Sequence, residues 1–167
     1  MTKPHPYRST RTALCAALCL ALAGPLAAQT TAAPAAATPR PQLVPVFAPD
    51  AALLAAFGGV PGITRLTADF ADRLRADARI GHYFEKTKLP LFKQQLADQF
   101  CQVLAGPCVY DGDTMKAAHA DLKINRADSL ALVEVLQTAM DQQGIAFTAQ
   151  NQLLARLAPM TREIITR

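Results

Sequence analysis

A histidine at the end of a short helix-sized run, four cysteines and phenylalanines at helical spacing are the residues from which this chain could build chemistry. His119 closes the run MKAAH, residues 115–119, behind the loop GPCVYDGDT. A lone imidazole in that setting reads in two ways. It is a metal ligand, or it is a surface or core histidine whose hydrogen bonds are satisfied. His5 sits among the first residues, and His82, beside Tyr83, reads as a surface position. Phe92, Leu96 and Phe100 fall on one helical stripe, a pattern that makes ordinary cores more often than cofactor walls. No Ser-His-Asp arrangement, phosphate loop or zinc cluster has a recognisable spacing. Cys-x-x-Cys-His, the signature of covalent haem attachment, is also absent.

The address of the chain narrows its chemistry. Residues 1–11 carry Lys3, Arg8 and Arg11, and Thr12 to Ala28 is apolar and uncharged. A basic start followed by an apolar run ending in small residues is the pattern of an export signal over residues 1–28. Gly24 and Pro25 favour cleavage over retention as a membrane anchor. The whole chain carries +4, and without those three basic residues the remainder carries +1. The basic balance therefore belongs to the export signal and gives no support to nucleic-acid binding, which needs a clustered basic face. The expected location is the periplasm or the exterior, with no membrane association after cleavage. Residues 29–49, rich in proline and alanine, read as an exposed linker. Folded material is expected over residues 50–167, enough for one core.

Export also bears on the cysteines. Cys101 and Cys108 are the two left after signal removal, and an oxidising compartment joins paired thiols. The turn at AGP, residues 105–107, can bring their Cα atoms within the roughly 4.4–6.8 Å that a bridge needs. Two free thiols, one buried and one exposed, are the alternative.

The folded part reads as all-α. Asp50 is a candidate N-cap for DAALLAAF, which stops at Gly58-Gly59. A second helix starts at Pro61 and places Ile63, Leu66, Phe70 and Leu74 on one face. After a connecting region with Tyr83 and Phe84, a third begins near Leu89-Pro90, with Leu89, Phe92, Leu96, Phe100 and Val103 in its stripe. The short His119 helix follows. Asn125 with Asp128 can cap the next helix, which runs to about Gln143. Thr148 can cap the last, which Pro159 should bend.

This order of elements resembles the truncated haemoglobins of the first group, short globins with a two-over-two helical sandwich. The likeness covers nearly all of residues 50–167. It is carried by LLAAFGGVPGITRLTADFADRLRAD, IGHYF, LAGPCVYDGDTMKAAHADLKIN and LLARLAPMTREII. The resemblance implies a haem b, bound without covalent attachment, with His119 as the proximal iron ligand and Met115 opening its helix. It implies an opposite wall from Phe92, Leu96 and Phe100, packing by Phe70 and Phe84 round the ring, and Lys93 placed to meet a propionate. The ligand is a diatomic gas: oxygen, nitric oxide or carbon monoxide. A reductase of unknown identity is the other implied partner.

The sequence departs from that family where oxygen is held. The tyrosine that commonly follows a phenylalanine on the second helix is replaced in the pair Phe70-Ala71. Leu96 stands where a polar supporter, often glutamine, is usual, and Phe92 aligns with the gate position. Gln95 and Gln99 lie to either side of the main stripe, and Gln99 reaches the pocket only if the helix is rotated. An apolar distal side disfavours stable oxygen carriage, because bound oxygen is partly negative and hydrogen-bond donors stabilise it. Two other readings stay open: a globin-fold interaction or sensor domain that has lost haem, and a nitric oxide-detoxifying haem enzyme. Peroxidase chemistry is disfavoured, since no polar distal acid–base residue is evident.

Overall fold

The structure is a computed structural model that describes residues 43–167. The export signal expected over residues 1–28, and the expected linker up to residue 42, lie outside the described residues. Among the described residues every regular element is helical.

Local sequence sets the helix ends. Asp50 accepts a hydrogen bond from the Leu53 amide (2.9 Å) and starts α1, Ala51–Ala56. Gly58 then adopts a left-handed conformation, φ +73°, which lets the chain turn straight into α2, Gly59–Ala76. That helix starts two residues before Pro61, which falls in its first turn. A 3-10 turn over Gly81–Phe84 leads to α3, Leu89–Val103, with Pro90 in the first turn. The short α4, Met115–His119, is capped by the Thr114 hydroxyl. α5, Arg126–Gln142, begins with a full capping box: Asn125 and Asp128 each accept from the other's backbone N–H.

Two local expectations fail. α6, Phe147–Leu157, begins after Ala146 without a side-chain cap, so Thr148 does not cap it. Pro159 does more than bend the last helix. α6 stops at Leu157, a 3-10 turn covers Ala158–Met160, and α7 resumes over Thr161–Ile164. The ring of Pro159 cannot sit inside a continuous helix, and it lacks the N–H that would bond back one turn.

Four helices close a circuit of contacts: α2 packs on α3 and on α5, α6 packs on α5 and on α3. Two pairs laid across each other make the two-over-two arrangement. The face foreseen on α2 is buried, with Ile63, Leu66, Phe70 and Leu74 each no more than 2 % exposed.

The last residues of the expected linker are part of this body. Val44 is 3 % exposed, and its carbonyl accepts from the Gln102 side chain. Phe47 packs on the core beneath the Arg156 guanidinium, 4.8 Å from the ring centroid. Arg156 also donates to the Val103 carbonyl (2.9 Å) and pairs with Asp50 (3.3 Å). Prolines nearby made residues 43–49 look like spacer, but Val44 and Phe47 carry enough apolar surface to repay their ordering.

Candidate functional site: an apolar cavity beside His119

Between the helix pairs lies a cavity of about 580 Å³, within the range of roughly 300–1,000 Å³ usual for small-molecule and cofactor sites. Phe70, Phe84, Phe92, Leu96, Phe100, Met115 and His119 all line it. Two pairs of rings brace its walls: Phe70 on Phe100, centroids 6.1 Å apart, and Phe84 on Phe92, 5.4 Å apart.

His119 is held in a defined state. Its Nδ1 lies 2.7 Å from the Met115 carbonyl oxygen, one turn earlier on α4. A carbonyl only accepts, so Nδ1 carries the proton. With the proton on Nδ1, the lone pair that a metal-binding imidazole uses falls on Nε2. Among the described residues no group of three or more His, Cys, Asp or Glu side chains is gathered. A single fixed imidazole in a large apolar cavity is poor at holding a bare metal ion but suits a metal whose other ligands come from an apolar organic ring. The residues therefore fit a haem.

Two residues expected at the site lie elsewhere. Lys93 does not line the cavity; its ammonium pairs with Asp72 at 2.7 Å, because position 93 falls on the flank of α3 that faces α2. Ala71 is fully buried but too short to reach the cavity, and Leu74 one turn on lines it instead.

The two glutamines that the sequence set beside the main stripe turn inward: Gln95 and Gln99 both reach the cavity, so its α3 wall is not wholly apolar. Gln99 is 8 % exposed, and its amide nitrogen points to two thioethers, Met115 Sδ at 3.3 Å and Met160 Sδ at 3.8 Å. Leu132, Leu136, Leu154 and Leu157, from the second helix pair, complete the apolar lining. The sequence reading did not single these leucines out as cavity residues, since apolar residues at helical spacing mark a core as readily as a cavity. On the polar side, Tyr83 donates to Asp128 at 2.9 Å. Partial burial, then the Asp128 carboxylate, push the Tyr83 phenol above its ordinary pKa. The Asn125 backbone N–H and the Tyr83 hydroxyl hold Asp128 below the usual carboxylate value.

The loop between α3 and α4 is pinned at both ends. Cys101, fully buried, is bonded to Cys108, S–S 2.07 Å and Cα–Cα 5.7 Å. Gly106 is required inside this ring, since a Cβ there would lie 2.7 Å from Cys101 Sγ and 2.9 Å from its carbonyl oxygen. Further along, the Tyr110 amide donates to Gln102 (2.7 Å) and the Tyr110 hydroxyl to the Asp113 carbonyl (2.8 Å). Asp113 directly precedes the Thr114 cap of α4, so the loop delivers His119 from a fixed start.

Residues 52–166 match the family model described as bacterial-like globin. The chain belongs to that family. Among curated proteins this globin is similar to a group 1 truncated hemoglobin of Tetrahymena thermophila, 27 % identical over 89 residues, covering 53 % of this chain and 74 % of the relative. It is also similar to that of Tetrahymena pyriformis, 26 % identical over 106 residues, 64 % of this chain and 87 % of the relative. Its fold matches the Fe(III) form of the truncated hemoglobin from Tetrahymena pyriformis with a TM-score of 0.66 at 21 % identity, covering 69 % of this globin and all but 2 % of the other chain. The 2/2 hemoglobin from Synechococcus sp. PCC 7002, solved in the cyanomet state with covalently attached heme, matches at 0.65 and 20 % identity, over 70 % of this globin and 100 % of that chain. The truncated globin fold is therefore shared, and the Synechococcus protein of that fold carries a heme.

Proposed function

We propose that this globin holds one haem b through His119 Nε2 and reversibly binds a diatomic gas outside the cytoplasm. The observation that carries the reading is the 2.7 Å contact of His119 Nδ1 with the Met115 carbonyl, which leaves Nε2 available at the edge of a haem-sized apolar cavity. Haem iron, when bound, supplies the coordination position at which a gas attaches. The chain's own residues do the rest. The Met115 carbonyl fixes the tautomer and direction of the imidazole. Phe70, Phe84, Phe92 and Phe100 exclude water from the cavity. Phe92 and Leu96 give the gas a mostly apolar surround, with the Gln99 amide already engaged by thioethers and Gln95 the remaining amide on that wall, which favours carbon monoxide over oxygen, because bound oxygen gains more from a donor.

The address outside the cytoplasm, periplasmic or secreted, rests on the signal-like first 28 residues and on a cysteine pair placed for bridging. A domain that has lost haem is disfavoured by the cavity itself, since Phe92 and Leu96 line it without filling it. The absorption spectrum of the purified protein tests the reading. A Soret band that disappears in His119→Ala, in a variant of unchanged helical content, supports it. A colourless protein that takes up no added haemin would end it.

A further inference from the structure

α4 is five residues long, below the length at which a helix holds itself together in water. Its position therefore comes from contacts with the rest of the molecule. Met115 is its single buried residue, 6 % exposed. The same residue supplies the carbonyl that receives the His119 Nδ1–H. Whatever holds the Met115 side chain thus also aims the imidazole.

Gln99 from α3 holds it across the cavity, α7 packs against α4, and the same Gln99 amide also faces Met160 in the turn after α6. Gln99 donates to both thioethers, at 3.3 and 3.8 Å, and so joins the opposite wall of the cavity to the His119 helix. Packing alone does not call for an amide here. Leucine or phenylalanine would fill the site without desolvating a polar group, and sulfur is a weak acceptor. What an amide adds is direction, since an N–H pointed at Sδ fixes where the Met115 side chain lies. We propose that Gln99 is a positioning residue for the His119 imidazole, acting through Met115. The inference rests on the reading of His119 as iron ligand for its consequence, and on the polypeptide alone for its geometry.

The test uses the purified protein and its Gln99→Leu, Met115→Leu and double variants, with Gln99→Met as a second variant that keeps a flexible side chain but no N–H. In the haem-free proteins, two-bond proton–nitrogen couplings of the imidazole report which ring nitrogen carries the proton. In the haem-loaded ferrous proteins, resonance Raman spectroscopy reports the iron–imidazole stretch. Each single variant is expected to lower the ratio of the Nδ1–H to the Nε2–H tautomer by about two- to tenfold, the range a modest hydrogen bond supports. Each should shift the stretching band in the same direction, and the double variant should go no further than either single. An unchanged tautomer ratio in folded Gln99→Leu or Gln99→Met overturns the proposal, as does a double variant whose effect is the sum of the singles. If His119 is not the iron ligand, the wild-type stretching band is missing, while the tautomer ratio in the haem-free protein still decides the role of Gln99.

Discussion

Breaking the Cys101–Cys108 bond should cost a definite amount of stability. The two residues are separated by seven positions. Chain-entropy loss on closing so short a ring contributes about 2.4 kcal/mol at 25 °C. Unfolding the roughly 125 described residues carries an entropy of about 0.26 kcal/mol per kelvin, so the midpoint should fall by about 9 °C. Cys108→Ala is the cleaner probe, because Cys108 is partly exposed whereas Cys101 is fully buried. Thermal unfolding followed by far-ultraviolet circular dichroism, with haem-free protein to keep ligand linkage out of the comparison, gives the shift. Wild type treated with reductant at a denaturing temperature should refold to the variant's midpoint. Midpoints of bridged wild type and Cys108→Ala within about 2 °C of each other would refute the reasoning, as would unbridged thiols found by alkylation of protein exported in cells.

Other outcomes follow from the site and its supports. Ala71→Tyr should slow oxygen release by roughly tenfold or more through a hydrogen bond from its hydroxyl to the bound gas; an unchanged rate in stopped flow would mean that position 71 does not face the gas or that another donor already does that job. The Asp77 carboxyl is lowered from 3.8 to about 2, first by its side-chain hydrogen bond from Arg79. Its contribution is present above the unfolded value and is lost as pH falls from about 3.8 to about 2, so Asp77→Asn should flatten the stability curve in that window. Lys93→Ala should leave haem affinity within about twofold, since its partner is Asp72, and a large loss in a haemin titration would put Lys93 back at the cofactor. Val44→Ala should destabilise the protein by about 1–2 kcal/mol, measured by urea unfolding, whereas a free linker residue would show no effect.

What the sequence made legible was local. Asp50, Gly58 and the Asn125–Asp128 box act within three or four residues of themselves, and the α2 face repeats at intervals set by the helix. The cavity-facing aromatics were legible for the same reason. What stayed hidden depends on distant partners. Gln99 lies off the apolar stripe, and only the thioethers of Met115 and Met160, 16 and 61 positions away, account for its burial. Lys93 read as a propionate partner until Asp72 was placed beside it across the α2–α3 contact. Nothing around Val44 hints at burial, because its cover comes from the end of α3. Ala146 starts α6 with no capping side chain at all, so a search for hydroxyls was bound to settle on Thr148.

The bonds of Arg156 have a consequence for the order in which the molecule is made. Phe47, Asp50 and Val103 all meet one guanidinium, which lies 106 positions beyond Asp50 and 53 beyond Val103. Synthesis delivers Arg156 only after α1 to α5, so the segment around Phe47 cannot make this contact until those helices exist.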